Sequence, residues 1–275
     1  MNKKITLLFS IFFTLSVFAE VSQADKEILI KLNQVTNGSK WIKKWDLSLP
    51  MDKWYGVKVL DDKVISINLK GNNLTGRIPV EISDLTNLQE LDLGSNLING
   101  EIPLNIGNLK SLQLLNLSNC RLTGFIPLSV CALPNLKVLS LDRNILSGEL
   151  PPQIGKLSNL ESLSLYENSF KGQLPVSIYN LKSLKFLSLY SNKFSGTLSP
   201  AVGNLLLLEN LQLFDNDFKG TVPLELEKLT HLKKMNISYN LFTGMVSNKL
   251  SLLDKLNMTM RNELGNVISL PVIKG

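Results

Sequence analysis

The sequence predicts an α/β solenoid: a right-handed superhelix with a parallel β-sheet on its concave side, short helical or 3-10 turns on its convex side, and a helix-plus-hairpin cap at its N-terminal end. Three observations carry this prediction. From Val64 onward the chain divides into eight blocks of 24 residues, starting at Val64, Leu88, Leu112, Leu136, Leu160, Leu184, Leu208 and Leu232, with no insertion or deletion. Glycine fills the thirteenth place of every block, from Gly76 through Gly172 to Gly244. Each block also opens on alternating apolar residues, as at Leu163 and Leu165, which makes a short strand with one face buried. A fixed period of this length marks a stacked repeat, in which one coil cannot bury both of its faces but a row of coils can.

The elements follow in order. Residues 1–24 read as a secretory leader: Lys3 and Lys4 form a positive end, Ile5 to Phe18 an apolar run of fourteen, and Ala19 or Ala24 a cleavage point. The run is too short for a membrane span, which needs about 20 apolar residues. Residues 25–63 form the cap. ADKEILIKLNQVTNG sets Ile28, Leu29, Leu32 and Val35 at helical spacing and ends at Gly38, and Trp41, Trp45 and the WYGVKV stretch follow, with a turn at Asp61 and Asp62. Residues 64–255 are the eight repeats. Residues 256–275 read as a degenerate closing strand, alternating through Leu256, Met258 and Met260, and a tail.

Within a block, equal connection lengths require the strands to lie parallel and in register. The ninth place holds asparagine at Asn72, Asn96, Asn144, Asn168, Asn192, Asn216 and Asn240, where the chain leaves the strand. An amide carries two donors and an acceptor, so a column of asparagines can satisfy backbone groups that the turn buries. Cys120 replaces it once. The glycine permits a backbone angle that other residues resist, and a proline three places on, as at Pro79 and Pro175, fixes the bend that follows. Positions equivalent to Ile82 and Leu85 turn the convex back inward.

These residues resemble the leucine-rich repeat family, specifically its plant-type class with the LxGxIP signature, from Val64 to about Lys255. The helix and WYGV hairpin before them are similar to the cap that closes the open end of such repeats in exported proteins. Plant extracellular members usually pin that cap with a cysteine pair, which is absent here, and this departure fits a bacterial exported relative. The resemblance implies a protein or peptide partner, and it leaves open an inhibitor of secreted hydrolases.

Composition narrows the classes further. Net charge is +6, and cleavage after Ala24 leaves 27 basic against 22 acidic residues, scattered rather than striped, which argues against nucleic acid. Two cysteines, Cys120 and Cys131, fall in one repeat at slots that do not suit a bond, so no disulfide framework is expected. The single histidine, His231, stands at a repeat junction with no nucleophile motif to serve, and no catalytic residue is assigned. Metal-binding patterns and cofactor loops are missing, so no metal or cofactor is expected. Five N-x-S/T sequons occur, at Asn37, Asn73, Asn116, Asn236 and Asn257, as expected by chance in so asparagine-rich a chain.

The third, fifth and seventh places of each block face outward on the concave sheet, with the eighth at its rim. The seventh column reads Tyr166, Tyr190, Phe214 in three successive coils, after Lys70, Gly94, Ser118 and Asp142 in the coils before them. Phe186 stands in the third column, Tyr239 in the eighth, and Arg143, Glu167 and Asp215 line the rim. With adjacent strands about 4.8 Å apart, the three rings are expected to form a ladder on the order of 10 Å long. Stacked aromatics can simply brace strands. An exposed apolar group rimmed by charge points instead to an interaction site. The expected function is an exported, non-enzymatic protein at the cell surface or secreted, binding a protein or peptide through this face. A glycan, self-association, and an adhesive role without a defined ligand remain alternatives.

Overall fold

The computed structural model describes residues 22–254, 258–262 and 264–273. The leader up to Ala19, Leu256 and the Asn257 sequon lie outside them. Among the described residues, nine strands make one sheet: a hairpin strand Val57–Leu60, then one strand per coil from Lys63–Asn68 to Lys234–Asn236. The hairpin pair is antiparallel, and every later pair is parallel and offset by one repeat, as in Leu163 opposite Leu187. The convex side carries a 3-10 turn in each of the first seven coils, from Val80–Asp84 to Leu224–Lys228, and a short α-helix, Asn248–Ser251, in the eighth. The architecture is the solenoid that the sequence predicts.

The cap explains how the first coil is closed without a cysteine pair. The helix Gln23–Val35 buries Leu29 and Leu32, and the Asp25 carboxylate accepts from the Val64 backbone N–H at 2.9 Å. Trp41 meets Trp45 edge-on at 4.8 Å, and Trp45 stacks on Trp54 at 4.9 Å. Each indole N–H donates to a backbone carbonyl, of Thr36, Tyr55 and Leu49 respectively. Three large buried rings with satisfied polar tips seal the end.

The asparagine column holds neighbouring coils together. The Asn192 amide donates to Leu165 O in the preceding coil and to Leu189 O and Tyr190 O in its own, while its oxygen accepts from Phe170 N–H. The same pattern recurs at Asn144, Asn168, Asn216 and Asn240. At Cys120 one thiol contact to Leu93 O, at 3.5 Å, stands in for it.

Two features go beyond the sequence reading. The eleventh place holds Phe170, Phe194, Phe218 and Phe242, fully buried and stacked with centroids 6.0, 6.3 and 6.2 Å apart. Beside this spine the chain forms further parallel strands around the invariant glycines, the last five coils linking into one side sheet through Ser169–Gly172, Lys193–Thr197 and Asp217–Thr221. Gly196 has φ +81°, a left-handed backbone that strains any other residue, and a Cβ there would also push on Gln173 of the coil before, 2.6 Å from its Cγ.

The far end differs from a simple tail. Thr259–Arg261 pairs antiparallel with Val267–Ser269, and Val272–Ile273 runs parallel to Val246–Ser247. Met258, Met260 and Leu270 are buried under this hairpin, and the buried Asp254 carboxylate accepts from Ile237 N–H and Ser238 Oγ at the sheet's last edge. Met235 and Ile237, which replace leucine in the last coil, are buried as the leucines are.

Two stability measurements test this picture. Phe194→Ala should cost about 3–5 kcal/mol in denaturant unfolding, the range for deleting a buried ring. Cys120→Asn should stabilise the protein by about 1 kcal/mol or more, because the amide restores hydrogen bonds that the thiol replaces weakly. A neutral result at Cys120 would mean that the column adds no stability there.

Candidate binding surface

The concave face divides into two halves with different hydrogen bonding. In coils 1 to 3 the outward polar groups satisfy one another. Glu90 accepts from Ser66 and Asn68 at 2.9 and 3.0 Å, and Asp92 accepts from the Gly94 N–H and the Asn116 amide. Asn116 in turn accepts from Ser118. In coils 4 to 6 the fifth column is Ser140, Ser164 and Ser188, half-buried, and their hydroxyls find no hydrogen-bond partner among the described residues. The sequence reading did not single out this serine floor, because serine at one outward place in a repeat carries no pattern of its own.

Walls flank the floor on both sides. On one side the third column reads Val138, Ser162 and Phe186 in coils 4 to 6, the last 44% exposed, between Leu114 in coil 3 and Asn210 in coil 7. Beyond them Lys185 pairs with Glu161 and Lys233 with Glu209, both at 2.7 Å. On the other side stand Tyr166, Tyr190 and Phe214. The backbones of the two wall columns lie four residues apart along each strand, about 13 Å at the usual rise. The result is a trough one extended chain wide, running across the strands.

The aromatic column is not one ladder. Tyr166 and Tyr190 stack with centroids 4.3 Å apart and planes 10° from parallel. Phe214 instead meets Tyr239 edge-on at 5.3 Å and 71°. The eighth place explains the second pairing. Tyr239, like Arg143, Glu167, Ser191 and Asp215, adopts a left-handed backbone with φ between 51° and 57°, which breaks the strand's alternation. Side chains at the seventh and eighth places therefore both emerge on the concave rim, where Tyr239 can reach Phe214.

Arg143 lies over the Tyr166 ring at 5.6 Å, and its Nε donates to Glu167 Oε2 at 3.1 Å. Tyr166 is thus held between the Arg143 guanidinium and the Tyr190 ring. At the last coil Arg261, from the closing hairpin, lies over Tyr239 at 5.6 Å and donates to Asp215 at 2.5 Å. All eight residues expected at the site lie on this face or its rim, and Phe186 lies across the serine floor from the rest. Sequence reasoning missed Arg261, since it stands outside the repeat frame.

Burial pushes the Tyr166 phenol up from its ordinary value, and the Asp142 charge beside it adds to the shift. Burial likewise leads at Tyr190, followed by the neighbouring Tyr166 and Glu167. Tyr179, buried on the convex side, is raised by burial as well. A phenol whose folded value is raised contributes stability that is fully present below the unfolded value of about 10 and is lost as pH rises through the folded one. An ultraviolet titration should therefore show a phenol component above the usual range, reduced in amplitude in Tyr190→Phe, with stability falling as pH climbs past about 10. An unchanged component in that variant would remove Tyr190 from this account.

Among the described residues no cluster of acids, histidines or cysteines is placed to hold a metal ion, and no helix is long and apolar enough to cross a membrane. The two cysteines are free. The model of the leucine-rich repeat region matches residues 129–270, and that of the single leucine-rich repeat matches 63–85, 87–109 and 111–133. Among solved structures, the chain is similar to the ectodomain of the Arabidopsis receptor kinase HAESA in complex with an N-terminally extended IDA peptide hormone. Identity is 32%, coverage 85% of this chain and 40% of that one, and the TM-score 0.76. A plant peptide hormone receptor, RGFR1 in complex with RGF2, matches at 35% identity over 71% of this chain and 31% of its own, TM-score 0.65. A leucine-rich repeat protein of Leptospira interrogans matches at 38% identity over 69% of this chain and 47% of its own, TM-score 0.55. The chain thus spans about a third to a half of the length of these proteins. It belongs to the leucine-rich repeat family, in the plant-type class.

Proposed function

We propose that this is an exported, non-catalytic binding protein whose concave face takes an extended segment of a protein or peptide. The observation that carries the reading is the trough of coils 4 to 7. Its serine hydroxyls in coils 4 to 6 are unpaired, Val138 and Phe186 on one side and Tyr166, Tyr190 and Phe214 on the other give it apolar contact area, and the neighbouring coils 1 to 3 have already satisfied their own polar groups. A serine hydroxyl both donates and accepts and can rotate to suit, so a row of them can serve the alternating N–H and C=O groups of an extended backbone. Tyr166 and Tyr190 add rigid contact area at low entropic cost. The receptors that match by structure are complexes with peptide ligands, which supports the same class of partner.

A sugar ring stacks best on a free aromatic face, and at Tyr166 one face is covered by Arg143 and the other by Tyr190. The geometry therefore favours a chain that meets the ring edges over a glycan lying flat on them. His231, the one histidine, sits at the far end of its coil from the aromatic columns, with Nδ1 3.1 Å from Leu206 O, which supports a non-catalytic role. Export rests on the leader-like residues 1–24.

The test is capture of partners from secreted protein and peptide fractions, with a glycan panel alongside, by the native protein and by Tyr166→Ser/Tyr190→Ser. Capture of a protein or peptide that falls at least about tenfold in the double variant, at unchanged melting temperature, supports the trough. Equal capture by both forms moves the site elsewhere, and capture confined to glycans overturns the choice of partner.

A further inference from the structure

The rim repeats one arrangement twice. Arg143 is seated between the Tyr166 ring and the Glu167 carboxylate, and Arg261 between the Tyr239 ring and the Asp215 carboxylate. The two arginines have different origins. Arg143 stands in the same rim column as Glu167, one coil away, and is part of the repeat. Arg261 comes from the closing hairpin, 46 residues from Asp215 along the chain, and reaches in from outside the frame. Phe214, edge-on to Tyr239, forms a further side of its seat. Asp215 makes no other side-chain hydrogen bond among the described residues.

We propose that Asp215, Phe214 and Tyr239 form a guanidinium-binding subsite of the concave face, and that Arg261 is its resident stand-in, displaced when an arginine of the bound chain enters. The inference rests on the trough reading and gives that chain a chemistry: an arginine at the end nearest coils 7 and 8. A guanidinium suits the seat better than an ammonium, because its plane can cover the Tyr239 ring while its fork meets the carboxylate. The exchange is non-covalent and replaces one cation by another, so the seat keeps its charge balance. Apparent affinity for the incoming arginine is the intrinsic affinity multiplied by the fraction of molecules in which Arg261 has left the seat. For a half-exposed ion pair with one cation–π contact, that reduction is about 5- to 30-fold.

Titration of the full chain with N-acetyl-arginine amide, with N-acetyl-lysine amide as the control, tests this directly. Arg261→Gln should bind the arginine probe about 5- to 30-fold more tightly than the native protein and prefer it over lysine. Asp215→Asn in the same background should abolish the binding. Equal affinity of native protein and Arg261→Gln overturns the proposal, and so does binding that survives Asp215→Asn. Should Arg261→Gln fail to fold, NMR on the native protein decides: saturable shifts of the Arg261 Nε–H and Tyr239 ring signals support displacement, and their absence overturns it. None of these variants touches Tyr166 or Tyr190, so a failure here leaves the trough standing. Loss of the trough in turn does not alter what the probe reports at Asp215.

Discussion

The structure depends on satisfying the backbone groups that are buried where each coil turns out of the concave sheet. An amide left unpaired where water is shut out costs on the order of 1–3 kcal/mol. In every coil but the third, where Cys120 stands, one asparagine side chain meets the need; Asn192, for example, donates to carbonyls of its own and the preceding coil and accepts from the buried residue two places past the preceding asparagine. Because it bonds across the coil boundary, it sets the spacing and register of the stack as well as closing a turn. The 24-residue period follows: an added or lost residue would shift the asparagine away from its partners.

A fixed register turns a linear sequence into columns. The same place in successive coils lines up about 4.8 Å apart, so each column can be chosen almost independently of the core. Buried places became leucine and, in the last four coils, the phenylalanine spine. Outward places became serine in the middle of coils 4 to 6 and aromatic along the edge of coils 5 to 7. The side sheet and spine stiffen the half of the solenoid that carries the trough, and a rigid scaffold suits a surface meant to hold a partner in one geometry. The Arg261 contact adds a feature that columns cannot supply, since it lets the closing hairpin act on a surface two coils away.

The fold was legible because the period, the glycines and the asparagines each report a backbone requirement that only a few residue types meet. The outward columns were legible for the same reason, as alternation assigns a face to every strand residue. Three things were not. The three-ring ladder expected at Tyr166, Tyr190 and Phe214 ignored the left-handed eighth place, which frees Tyr239 to draw Phe214 away. The phenylalanine spine was hidden because phenylalanine in a buried slot reads like any other apolar residue. Arg261 and the closing hairpin were hidden because hairpin pairing depends on long-range contacts that no repeat announces.

The central claim is that the trough of coils 4 to 7 holds one extended chain. The most direct measurement places a photo-reactive side chain in turn at Ser140, Ser164 and Ser188, with a convex-side control at Ser177, and maps the cross-linked residues of the captured partner. The account predicts adducts from the three floor positions that advance in order along a single segment, by about one or two residues per coil, the ratio of strand spacing to residue rise. Adducts scattered over the partner, or arising from Ser177 alone, would contradict it.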